Sequence, residues 1–196
     1  MSDDKHTPEP NPERLTPMEA AREYHRMAMQ GDDDALATAM ELTETLLSER
    51  GDEAETLAIR GSLLTIKAKN AHSFLKRIYY SMKGIRALDK AIAADPDNHT
   101  ARTIRGFTSL VLPQFLRRLK VAVEDFEYLI RRYQEDPSLL PDEMMPKIYL
   151  NLGIAYAKEG KRDKAGKAFT DVSDRFPGTR ESDRAQNLLA RLRKGP

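Results

Sequence analysis

The 196-residue sequence contains no cysteine and no tryptophan. Without cysteine there is no disulfide, no thiolate metal ligand and no cysteine nucleophile. An excess of one charge is also missing: 32 basic residues stand against 31 acidic ones, for a net charge of +1. No whole-molecule field steers the chain toward nucleic acid, and no nucleic acid partner is expected. No run approaches the roughly 18 apolar residues of a membrane-spanning helix. Residues 1–14 are polar and interrupted by Pro8, Pro10 and Pro12, with no apolar segment like that of a secretory signal. The cytoplasm is therefore the expected compartment. Strand signals are absent as well: polar and apolar residues do not alternate, and the β-branched residues are scattered.

Catalytic signatures are equally scarce. His6, His25, His72 and His99 lie far apart, none with a second ligand at helical spacing, so no zinc site is legible. The run from Gly160 to Ala168 is similar in outline to a phosphate loop. It has one residue too many between Gly160 and Gly166, and Ala168 stands where a hydroxyl must meet magnesium. No nucleophile elbow, Ser-His-Asp set or paired catalytic carboxylates can be read. The chain reads as a non-enzyme with no cofactor and no metal.

The remaining pattern is helical. Residues 1–15 are expected to be a disordered tail, since their composition buries too little apolar surface to offset ordering entropy. From Thr16 onward the pattern turns helical. Thr16 is a predicted N-cap, with Pro17 at the first helical position and Glu19 closing a capping box. Gly31-Asp32, Gly51-Asp52, Asp95-Pro96, Asp136-Pro137, Gly160 and Pro177-Gly178 punctuate the rest of the chain. These breaks divide residues 16–196 into helical hairpins at about 17–50, 53–96, 98–137 and 142–177, with a capping helix at 179–193. The sixth helix is expected to start at Gln114, just after Pro113.

The spacing within Lys147–Pro177 is specific. Tyr149, Leu152-Gly153, Tyr156, Ala165, Phe169 and Pro177 stand at the intervals of a tetratricopeptide repeat, with Tyr149 where tryptophan is usual. The segment resembles that repeat. Two upstream units share Ile-Arg-Gly, at Ile59-Arg60-Gly61 and Ile104-Arg105-Gly106. Gly84, Leu88, Ala91 and Pro96 come after the first, and Ala122, Phe126 and Pro137 after the second. Relative to the repeat, the Gly61 unit carries about 11 extra residues and the Gly106 unit about 4, both near the turn between the two helices. The resemblance extends over nearly all of the chain after residue 16. It implies an all-α, right-handed superhelical array of antiparallel hairpins, with a C-terminal cap and a concave groove. It also implies a scaffold or adaptor that binds a protein or peptide.

By the register of such repeats, the groove-facing positions are Ser62, Thr65 and Ile66, then Phe107, Leu110 and Val111, then Lys147, Ile154 and Lys158. This predicts a largely apolar groove with a basic end. The alternative is that the protein's own helices cover these residues. Arg60 and Arg105 stand where the repeat has a buried leucine, and Asp89 and Asp125 are their expected partners. The other reading makes the two arginines anchors for an acidic ligand. Lys76 and Arg77, with Arg117, Arg118 and Lys120, form basic clusters among Phe74, Tyr79, Tyr80 and Phe115. They point to an anionic membrane surface as a second partner class, with solvated helix faces as the alternative. Self-association into a homo-oligomer stays open.

Overall fold

The computed structural model describes residues 15–194, so the expected tail at residues 1–15 lies, apart from Leu15, outside the described residues. Nine α-helices succeed one another among the described residues: α1 Pro17–Met29, α2 Asp33–Arg50, α3 Ala54–Asn70, α4 Phe74–Ala94, α5 His99–Val111, α6 Leu119–Glu135, α7 Met145–Lys158, α8 Arg162–Arg175 and α9 Arg180–Lys194. No strand occurs among the described residues.

Local sequence explains the boundaries. The Thr16 hydroxyl accepts from the Glu19 amide at 3.3 Å, and the Glu19 carboxylate accepts from the Thr16 amide at 2.8 Å, a closed capping box. Asp32 and Asn98 cap α2 and α5 by accepting the amides of Ala35 and Ala101, each at 2.9 Å. Gly31, Gly51, Gly160 and Gly178 take positive φ where the chain reverses.

One boundary departs from the sequence reading. Gln114–Leu116 forms a separate 3-10 turn, and α6 begins only at Leu119. Pro113 has no amide to donate. Arg117 then adopts a left-handed backbone, φ 55°, which a continuous helix does not tolerate.

Helices pair as hairpins, α1 with α2, α3 with α4, α5 with α6 and α7 with α8, and α9 closes against α7 and α8. The first helices, α1, α3, α5 and α7, also pack on one another in sequence and form an inner layer; the second helices form the outer one. Small residues allow the close crossings. A Cβ on Gly61 would sit 2.7 Å from the Leu88 side chain and 2.8 Å from the Gly84 carbonyl oxygen. On Gly106 it would sit 3.0 Å from the Phe126 ring, and on Gly153 2.5 Å from the Phe169 ring. Each glycine thus admits a partner helix that any larger residue would hold off.

Candidate functional site

The inner layer leaves less open surface than the sequence register implies. Ser62 is buried, and its hydroxyl meets His25 of α1 at 2.8 Å. Leu110 is buried in the core that spans α5 to α9. Thr65 turns its methyl group to Gly84 on α4, and Ile66 packs on the cluster between α1, α2 and α3. Phe107 sets its ring edge-on to Phe126, centroids 5.2 Å apart. Ile154 packs against the same core. Lys158 is exposed, but its amine donates to the Leu110 carbonyl at 3.0 Å. Only Val111 and Lys147 of the nine stand fully open.

The cause is geometric. Successive first helices touch directly, so residues within the turn after each glycine meet the neighbouring helix before they meet solvent. Ser62 and Leu110 are therefore core residues, not groove residues. The protein's own helices cover most of the predicted floor.

The arginines separate into two cases. Arg105 donates to Asp125 from Nε and Nη2, each at 2.8 Å, and from Nη1 to Asp89 at 3.3 Å. Arg102 adds a third bond to Asp125 at 3.0 Å, and Asp125 is fully buried. Arg60 does not reach Asp89. It pairs instead with Glu44 at 2.9 Å and donates to the Met40 carbonyl, so it ties α3 to α2. Asp89 turns the other way and takes Arg118 at 2.5 Å and 3.0 Å. Arg118 is consequently held in an ion pair and is not a free member of the basic cluster. Lys76, Arg77, Arg117 and Lys120 are exposed.

A groove that the register did not indicate lies on the outside of the array. It measures about 750 Å³ and runs between α2 and the α3–α4 hairpin. Leu36, Ala37 and Met40 form its floor, with Tyr80 across from them. Asp33, Glu41 and Glu44 lie along the α2 wall, and Lys67 and Lys76 along the opposite one. Lys67 sets its amine 5.0 Å over the Tyr80 ring. The groove exists because α4 begins unusually early. Its first residue lies 14 positions before Leu88, the residue facing Gly61, whereas α6 and α8 begin 7 positions before Phe126 and Phe169. The α3–α4 hairpin therefore runs alongside α2 as far as that helix's first residue, where Asn70 donates to Asp33 at 2.8 Å, and leaves a channel between them. The extra residues near the Gly61 unit's turn were legible in the sequence; the channel was not.

Among the described residues, no three His, Asp or Glu side chains gather to hold a metal. No described helix is long and apolar enough to cross a membrane.

No family model matches the chain, and no curated protein does. Solved structures do. A tetratricopeptide protein of Thermus thermophilus, TTC0263, superposes with a TM-score of 0.66 at 14% identity, over 92% of this chain and 82% of its own. The chain has the tetratricopeptide fold. Two MamA structures agree. One is a double mutant, RS-1 ArsTM, with a TM-score of 0.58 at 16% identity, over 90% of this chain and 85% of its own. The other has a TM-score of 0.51 at 18% identity, over 90% and 88%. The likeness explains why Gly61, Gly106 and Gly153 recur at helix crossings: tetratricopeptide hairpins need a small residue there.

Proposed function

We propose that this chain is a non-catalytic scaffold that seats a protein segment in the outer groove between α2 and the α3–α4 hairpin. The tetratricopeptide-type architecture supports a protein-interaction role, since stacked hairpins offer extended surfaces and few enclosed sites. The observation that carries the location is the groove itself. It is about 750 Å³, has an apolar floor at Leu36, Ala37 and Met40, and sets carboxylates and amines on facing walls. An amphipathic segment fits that pattern, with an apolar ridge on the floor, bases toward Glu41 and acids toward Lys67 and Lys76.

Affinity capture with the full chain, followed by titration of each captured protein, tests the reading. Met40→Glu and Lys67→Glu are expected to weaken a true partner by roughly tenfold or more, the scale of removing one anchor of an interface. A partner held equally well by both variants is not seated here. The concave face of α5 and α7 is the second location, favoured by the exposure of Lys147. Lys147→Glu separates the two.

A further inference from the structure

The net charge of +1 conceals a strong internal separation. From Thr56 to Leu88, 33 consecutive residues contain no acid and seven bases. Over residues 56–123 there are thirteen bases against three acids, Asp89, Asp95 and Asp97, so this stretch carries +10. The structure divides the thirteen. Arg60, Lys90, Arg102, Arg105 and Arg118 each meet a carboxylate. The other eight, with Lys76, Arg77, Lys83, Arg86, Arg117 and Lys120 among them, meet none among the described residues.

The same region gathers the exposed apolar side chains. Among the described residues seven large apolar side chains stand open to solvent, and all but Met29 belong to α4 or to the α5–α6 junction: Phe74, Leu75, Tyr79, Met82, Val111 and Phe115. Phe74 and Leu75 are 67% and 77% exposed, at the very start of α4. Leu75, Tyr79 and Met82 are spaced i, i+4, i+7, with Arg86 one turn on, so they form one stripe along α4. It is separate from the buried stripe of Ser81, Gly84, Ile85 and Leu88. Tyr79 and Tyr80 touch edge to face at 5.3 Å, and Lys83 lies 4.9 Å over Tyr79. The Asp89–Arg118 pair ties the Phe115 turn to α4, about two helical turns from Met82.

We propose that the projecting end of the α3–α4 hairpin, together with the Phe115 turn, docks on an anionic lipid surface. Phe74, Leu75, Tyr79 and Met82 enter the headgroup–acyl boundary, while Lys76, Arg77, Lys83 and Arg86 meet lipid phosphates. Charge complementarity selects this occupant. A bilayer offers diffuse negative charge and an apolar layer without requiring a shaped cavity, which suits a protruding edge. Nucleic acid would use the bases but gives Leu75 and Met82 nothing to bury against. Tyrosines paired with lysines match the interfacial zone, where a ring is half wet. The surface borders the outer groove and shares Lys76 with its wall, so the Phe74→Ser with Leu75→Ser variant, which touches no groove residue, is the one that separates the two readings.

The test uses the full chain with vesicles of phosphatidylcholine alone, or mixed with phosphatidylglycerol in equal parts. The chain has no tryptophan, so Phe74→Trp supplies a single emission reporter. Expected are co-sedimentation with the mixed vesicles only, loss of binding as salt rises, and a blue shift of the reporter on binding. Lys76→Glu with Arg77→Glu is expected to lower partitioning by roughly tenfold or more. Phe74→Ser with Leu75→Ser should lower it comparably at unchanged charge. These side chains are exposed, so far-UV circular dichroism should stay unchanged in both variants.

The proposal is overturned by absence of sedimentation at low salt, or by equal binding to neutral vesicles. It is also overturned by a reporter whose emission does not move, because contact would then be purely electrostatic. Tighter binding of a duplex oligonucleotide at the same salt would replace the lipid surface with nucleic acid. A blue shift that grows with protein concentration in the absence of vesicles would replace it with a second copy of the chain.

Discussion

Nε2 of His25 on α1 lies 2.8 Å from the hydroxyl oxygen of Ser62 on α3, in a buried contact between two successive repeat units. Burial pushes the imidazole pKa from 6.5 down to about 4. Between those values the unfolded chain binds a proton that the folded chain does not, so this site's stability is complete above about pH 6.5 and is lost as pH falls toward 4. The full loss amounts to roughly 3 kcal/mol by the usual conversion of a pKa difference, most of it already incurred at about pH 4.5. Urea unfolding near pH 7.5 and near pH 4.5 should show that extra loss in the wild type relative to His25→Gln. Equal losses in the two proteins would mean that the ring is already hydrated in the folded state.

Asp125 accepts three bonds from Arg102 and Arg105 with no exposure of its own. Asp125→Ala leaves Arg105 with Asp89 alone and Arg102 without its carboxylate, and should cost about 3–5 kcal/mol in chemical unfolding. Arg105→Met together with Asp125→Leu should recover most of that, since the bond energy there largely offsets desolvation. A double variant no more stable than Asp125→Ala would make the pair a net source of stability.

Two glycines predict opposite signs. A methyl group at Gly153 meets the Phe169 ring at 2.5 Å, so Gly153→Ala should destabilise by about 1–3 kcal/mol. At Gly166 the nearest atoms are leucine methyls at 3.7 and 3.8 Å, and the residue lies inside α8. Gly166→Ala should therefore stabilise by about 0.5–1 kcal/mol through helix propensity. Thermal melts of the two variants should move in opposite directions.

The Asp89–Arg118 pair holds the turn after α5 to α4. Its carboxylate is partly exposed, so Arg118→Ala should cost only about 1 kcal/mol of global stability. Its larger effect should be local, as faster hydrogen exchange at residues 114–118 with α7 and α8 unchanged.

The helical framework was legible because it rests on short-range signals: caps, breakers and the recurrence of Gly61, Gly106 and Gly153. The Thr16–Glu19 capping box needed four residues to read and is closed in the structure. Surface assignment was less legible, because it depends on how successive first helices turn relative to one another. Ser62 and Leu110 are consumed by contacts that no spacing rule within one hairpin encodes. Arg60 illustrates the same limit, pairing with Glu44 in the preceding unit rather than with Asp89 in its own hairpin. The acid-free run from Thr56 to Leu88 needed no structure at all, only a window shorter than the whole chain. Summing charge over 196 residues erased it.

At Gly61 and Gly84 the backbones of α3 and α4 touch: a Cβ on Gly84 would lie 2.6 Å from the Gly61 carbonyl oxygen. Two rods that meet on bare backbone have no slack left between them, so a side chain added at either glycine must push α3 and α4 apart. The cost would spread beyond the hairpin, since Asp89 on α4 joins the following repeat through Arg105 and Arg118.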